Sequence, residues 1–330
     1  MTRIAVLGAG AWGSALASSL APRQPTMLWA RDAVQAAQLD QSRRNERYLP
    51  GLALAPQLAI VARIEEALAH AAGGLLLLAV PIASLRPVLQ QIGQHDFRGS
   101  CAWLCKGLER DTGMLAHQIA GLELPSVPGG PLSGPSFAVE VARGLPTALV
   151  VAGTPELCAT VTGAVHGGNL RVYSTDDVVG VEIGGAVKNV MAIAAGIADA
   201  MQLGHNARAA LVTRGLSETR RFGEALGARA ETFTGLTGLG DLLLTCTGDL
   251  SRNRRIGLAL GRGVALEQAI AELGHVAEGV WSAPAIVARA HAVGVEMPIT
   301  EAVCAVLEGT ISARAAVGQL LSRDPRVEHH

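Results

Sequence analysis

The sequence predicts an α/β fold, in which an N-terminal doubly wound, mostly parallel sheet precedes an all-helical C-terminal domain. Three observations carry this. Short continuous apolar runs alternate with helical stretches through the first half of the chain, as in parallel strands covered on both faces by crossover helices. A glycine-rich turn separates the first run from the first helix. After about residue 175 the strand-length runs stop, and helices punctuated by Gly-rich turns continue to about residue 322. The expected domains are therefore residues 1–180 and 181–330.

Taken in order, residues 3–7 form the first apolar run, and "AWGSALASSLA" reads as a helix. "TMLWA" is the second strand, reached through the turn "PRQP". "LLLLAV" (75–80) is the next, stopped by Pro81 before a helix around 82–92. "CAWLC" follows, and "KGLERDTGMLAHQIA" is a turn entering a helix. "TALVV" (147–151) and "RVYS" (171–174) complete the strands. Ser174, with Asp177 three residues on, resembles a capping box opening a long helix over 175–201.

Composition narrows the function classes. Of 330 residues, 49% are hydrophobic, 17% are charged and 39 are glycine, the profile of an α/β enzyme. A net charge of −1 provides no field for polyanions, which argues against nucleic acid or an anionic membrane as partner. "GGLLLLAV" is far too short to span a bilayer. The strand pattern starts at the N-terminus, so no signal peptide is expected, and the terminal "VEHH" resembles the start of a cloning tag. The five cysteines are scattered. Cys101 and Cys105 fall on one face of the same expected strand, but no second pair completes a metal site. Reduced thiols, no metal and a cytoplasmic location are expected.

"VLGAGAWG" places Gly8, Gly10 and Gly13 in the G-x-G-x-x-G spacing, after a strand and opening a helix. In that context the first glycine permits the turn and the second lets a pyrophosphate approach the backbone. The third packs the helix close, its N-terminus aimed at the anion. This is a Rossmann-type dinucleotide site. At the end of the second strand the sequence reads "LWARD". Arg31 suits a 2′-phosphate and Asp32 a 2′-hydroxyl, unless the two form an ordinary solvated pair. The expected cofactor is NADPH, preferred or shared with NADH.

In "GVEIGGAVKNVMAIAAGIADA", Lys188 is the only charged side chain between Glu182 and Asp199. Gly184 and Gly185 precede it by four and three residues, so on a helix its stem leans over them. Two helical glycines imply that another helix or a flat ligand ring approaches closely. Lys188 either snorkels to water or is desolvated enough to exchange a proton during catalysis. Lys106, at the carboxyl end of "CAWLC", is a candidate neighbour. In "LTGLGDLLLTCTGDLSRNRRIG", Ser251 is placed to cap a helix beginning at Arg252. Arg252, Asn253 and Arg254 would then cluster with free backbone N–H groups as an anion site. Asp241 is suited to orienting an ammonium or accepting from a substrate hydroxyl, and equally to a turn.

Together, "GAGAWGSALA", "LLLLAVP", "KGLE", "LSGPSFAVEVARGLPTA", "GGAVKNVMAIAAG", "GLGDLLLTCTGDLSRNRRIG", "HVAEGV" and "GVEMPIT" resemble the bacterial NAD(P)-dependent glycerol-3-phosphate dehydrogenases over nearly the whole chain. The resemblance implies reversible reduction of dihydroxyacetone phosphate to sn-glycerol 3-phosphate for glycerophospholipid synthesis, by a homodimer. It makes Lys188 the proton donor and acceptor, and Lys106 a contact to both cofactor and substrate. Gly134 and Ser136 would line the substrate, with Ala138 beside the cofactor. Asp241, Ser251, Arg252 and Asn253 would hold substrate hydroxyls and phosphate, Arg252 also touching cofactor. Trp12, Arg31, Val276 and Glu278 would complete the cofactor site. Ala11 stands where the family often has serine, which keeps the backbone amide. The β-hydroxyacid dehydrogenases, built similarly, carry asparagine four residues after their catalytic lysine. Here Asn189 is adjacent to Lys188 and position 192 is alanine.

Overall fold

A computed structural model of the chain describes residues 1–274 and 277–324. Val276 and the terminal "VEHH" lie outside the described residues. The strands are β1 (Ile4–Leu7), β2 (Thr26–Trp29), β3 (Ala59–Val61), β4 (Leu75–Leu78), β5 (Ser100–Trp103), β6 (Gly129–Ser133), β7 (Thr147–Ala152) and β8 (Leu170–Thr175). They form one sheet in the order β3-β2-β1-β4-β5-β6-β7-β8, parallel except where β6 meets β7. Between them run α1 (Ala11–Leu20), α2 (Ala33–Ser42), α3 (Ile64–His70), α4 (Leu85–Gly93), α5 (Ala116–Glu123), α6 (Ala138–Ala142) and α7 (Pro155–Val165).

The unbroken apolar runs have a direct cause. Leu75 and Leu77 join one buried cluster and Leu76 and Leu78 the other, because helices cover both sheet faces. Two strands escape the sequence reading. β3 is three residues at the sheet edge, and β6 is "GGPLS", whose glycines and proline read as a turn. "CAWLC" is strand only to Trp103, so Cys105 lies beyond the strand end and does not share a strand face with Cys101. All five cysteines are free.

The remaining helices are α8 (Val178–Ala200), α9 (Gly204–Ala225), α10 (Asp241–Thr247), α11 (Arg252–Gly261), α12 (Leu266–Leu273), α13 (Glu278–Ala292), α14 (Pro298–Leu307) and α15 (Ala313–Leu321). The capping box expected at Ser174 is replaced by a simpler cap. Ser174 belongs to β8, and the Asp177 side chain accepts the Gly180 N–H at 2.9 Å. Among the described residues α8 is the helix long and apolar enough to cross a membrane, yet 89% of that stretch is buried inside the fold. It is the central helix of the C-terminal core, packed against α9, α10, α11 and α13.

Candidate active site

The cofactor loop leaves β1 at Gly8, whose φ of +118° favours glycine, and a Cβ there would stand 2.5 Å from the Ala79 carbonyl oxygen. A Cβ on Gly13 would overlap the Gly8 carbonyl, which fixes how closely α1 approaches the strand. At Gly10 nothing lies within 4 Å of the Cβ position, and no side chain caps α1. The first turn of α1 thus carries no side-chain cap and leaves room beside Gly10, and its backbone N–H groups suit a pyrophosphate. Two residues that sequence reasoning missed hold the loop from behind. Gln35 Nε2 and Asn45 Nδ2 both donate to the Ala9 carbonyl, at 3.1 and 3.0 Å, and Asn45 also donates to Ser14 Oγ at 2.7 Å. Asn45 is 2% exposed.

Trp12 turns its indole N–H to both the carbonyl and the hydroxyl of Ser136, each at 3.2 Å. Ser136 Oγ in turn donates to the Gly134 carbonyl at 3.0 Å. The "SGPSF" segment is thereby tied to the cofactor loop, and Ala138 begins α6, which packs on α1. Arg31 is exposed just past β2. Asp32 is the N-cap of α2, its Oδ1 accepting from Val34 N at 2.8 Å and Gln35 N at 3.4 Å. Capping accounts for Asp32 and leaves Arg31 as the charged side chain offered at the strand end.

Asp241, at the start of α10 and 1% exposed, joins the two lysines. Its Oδ2 accepts from Lys106 Nζ at 2.6 Å and its Oδ1 from Lys188 Nζ. Lys188 also donates to Thr245 Oγ1 at 3.0 Å, one turn further along α10. Lys106 Nζ lies 3.4 Å from the Gly134 carbonyl. Burial pulls the Lys188 ammonium down to about 7; Asp241 opposes that shift and Lys106 adds to it. At Asp241, burial alone would raise the carboxyl, but Lys106 and Lys188 outweigh it and hold the group below its ordinary value. A lysine that titrates near neutrality beside an ionised carboxylate can hold or release one proton at little cost.

Both glycines before Lys188 have protein close against them. A Cβ on Gly184 would overlap the Thr237 carbonyl, and one on Gly185 would meet Lys106 Cγ at 3.4 Å. They clear α8 for the chain segment leading to Asp241 and for the Lys106 stem. The site's geometry is thus built on their missing side chains.

Ser251 is the N-cap of α11, its Oγ accepting from Arg254 N at 3.2 Å. Arg252 is exposed at that N-terminus. Arg254 does not join it: its guanidinium is held by Asp199 at 2.7 Å and Asp249 at 2.9 Å, so two carboxylates take it out of the expected anion cluster. Asn253 is 7% exposed and bonded on both sides, Nδ2 donating to Asn189 Oδ1 at 2.9 Å and Oδ1 accepting Gly279 N at 3.0 Å. It ties the α11 N-terminus to the neighbours of Lys188 and Glu278. The Glu278 carboxyl is raised by burial, an effect opposed by Arg252, Lys106 and Lys188. Thr245 gave no signal in sequence, since a threonine within a helix looks like any other, and Asn189 stood out only as the neighbour of Lys188.

Residues 3–159 match the family model described as NAD-dependent glycerol-3-phosphate dehydrogenase N-terminus, and residues 177–318 its C-terminus counterpart. The chain is 56% identical over 331 residues to a glycerol-3-phosphate dehydrogenase (NAD(P)+) of Methylibium petroleiphilum, covering 99% of both chains. A relative of the same name from Leptothrix cholodnii is 54% identical over 338 residues, again covering 99% of both. The crystal structure of glycerol-3-phosphate dehydrogenase from Coxiella burnetii superposes with a TM-score of 0.93 at 40% identity, over 98% of this chain and 99% of that one. The chain therefore belongs to the NAD-dependent glycerol-3-phosphate dehydrogenase family.

Proposed function

We propose that the protein catalyses the reversible NAD(P)-dependent reduction of dihydroxyacetone phosphate to sn-glycerol 3-phosphate. Lys188 protonates the carbonyl oxygen in reduction and takes the proton back in oxidation. The observation that carries this reading is the buried Lys188–Asp241–Lys106 arrangement at the mouth of the sheet. Bound NAD(P)H supplies the hydride. Lys188 stores the proton near neutral pH, and Asp241 orients both ammoniums. Lys106, Gly134 and Ser136 line the three-carbon body. Ser251, Arg252 and Asn253 hold the phosphate at the α11 N-terminus, where a cation next to the helix dipole is favourable only with an anion present.

The division of labour falls near residue 180, with the cofactor on the sheet side and the substrate completed from the helical side. Trp12, Arg31, Ala138 and Glu278 serve the cofactor, Arg31 favouring NADPH or allowing both forms. The product supplies the backbone of glycerophospholipids in the cytoplasm, and the working form is a homodimer with no nucleic-acid partner.

The test is NADPH oxidation with dihydroxyacetone phosphate. Lys188→Ala should keep cofactor affinity and lower turnover at least about a hundredfold, the scale of general acid catalysis. Turnover with a β-hydroxyacid and none with the phosphorylated ketone would overturn the reading. A near-wild-type rate in the variant would reduce Lys188 to a snorkelling side chain.

A further inference from the structure

Ser133 ends β6, immediately before Gly134, and is 6% exposed. Among the described residues its hydroxyl is one of two buried hydroxyls without a protein partner; the other, Ser282 Oγ, faces Gly107. Both flank the Lys106–Gly107 dipeptide. Ser133 Oγ lies 3.3 Å from the point where a Gly185 Cβ would stand, and Lys106 Cγ lies 3.4 Å from that same point. Lys188 is one turn further along α8.

Buried polar atoms are normally paired, and an orphan asks for an explanation. A serine on a strand has an easy remedy when the facing surface offers a carbonyl or a polar side chain. Here the facing residue is Gly185, which has no side chain to offer. The methylenes of Lys106 lie by the same point and, being flexible, can yield to an incoming molecule where the sheet and α8 cannot. With the phosphate assigned above to Ser251–Asn253, the carbon-bound oxygens of the substrate are the groups left for Ser133.

We propose that Ser133 is a further substrate-binding residue, whose hydroxyl bonds a carbon-bound oxygen, carbonyl or hydroxyl, of the phosphorylated three-carbon substrate beside the lysine pair. This rests on the function proposed above. It gives a partner to a buried hydroxyl that the protein itself leaves unpaired.

The experiment is steady-state kinetics, NADPH titration and thermal melting of Ser133→Ala beside wild type. Losing one substrate hydrogen bond should lower kcat/KM for dihydroxyacetone phosphate about tenfold or more. NADPH affinity and inhibition by inorganic phosphate should stay within about twofold. The melting temperature should be equal or higher, because the free enzyme loses an unpaired group. Wild-type kcat/KM in the variant would overturn the proposal. So would a lower melting temperature with parallel loss of NADPH binding, which marks a packing role. If wild type itself fails to reduce the ketone, the functional reading falls instead, and that result is read before any variant is made.

Discussion

Lys188 is 8% exposed, and its ammonium is met by a carboxylate and a hydroxyl from a single turn of α10. Burial, the largest influence, brings it to about 7, and the sign of the pH dependence follows. In the proposed mechanism ketone reduction needs the ammonium as acid, so its turnover should fall as pH rises through about 7. Alcohol oxidation needs the free amine, so its turnover should rise through the same value. Initial rates in both directions from about pH 6 to about pH 9 would show two opposed curves with a common inflection. Reduction that stays flat across this range would remove Lys188 from the proton step. The inflection belongs to the coupled Lys188–Asp241–Lys106 set rather than to one group. The sequence exposed half of this arrangement. A lone charge in an apolar helix is visible as an anomaly, and orienting an ammonium was already among the readings of Asp241. Thr245, 57 residues away, had nothing to distinguish it, because only the α8–α10 packing brings it to the amine.

Helix α8 is placed by what its glycines omit. A Cβ on Gly196 would overlap the Arg254 carbonyl, and one on Gly257 would overlap the Ile193 carbonyl, so α8 and α11 touch backbone to backbone. That crossing sets where Ser251, Arg252 and Asn253 stand relative to Lys188. Gly196→Ala must push the helices apart, an overpacking cost of about 1–3 kcal/mol that outweighs the helix-propensity gain of about 1 kcal/mol. It should lower the melting temperature and raise KM for the phosphorylated substrate. Gly163, inside α7 with nothing within 4 Å of its Cβ position, is the matched control. Gly163→Ala should stabilise by up to about 1 kcal/mol with unchanged kinetics. If both variants melt alike, close approach is not what Gly196 provides. The elements with strong periodicity or long apolar runs were legible before the fold. β6 was not, because its Gly-Gly-Pro opening resembles a loop, and it holds its place by register with β5 and β7.

The sheet and the helical bundle each carry one lysine of the site, and the distance between the lysines depends on how α8 is pinned to the sheet. Glu182 is that pin. It is 8% exposed and six residues before Lys188, and its Oε1 accepts from Trp103 Nε1 at 2.8 Å and from His117 N at 2.9 Å. Its Oε2 meets His117 Nδ1 at 2.6 Å. Trp103 ends β5, three residues before Lys106. One carboxylate therefore fixes α8 against both the strand and the helix that flank the Lys106 loop. None of this was legible in sequence, where Glu182 marks only the edge of an apolar run and its partners lie 79 and 65 residues away. Glu182→Ala leaves the Trp103 and His117 N–H groups without their acceptor, and each buried orphan costs about 1–3 kcal/mol. Glu182→Gln keeps an oxygen for both and should retain most of the stability. The alanine variant should therefore melt well below the glutamine variant. Its kcat should fall while NADPH affinity, proposed to be set mainly on the sheet side, changes little. An alanine variant that melts and turns over like wild type would mean that apolar packing alone holds the two halves in register.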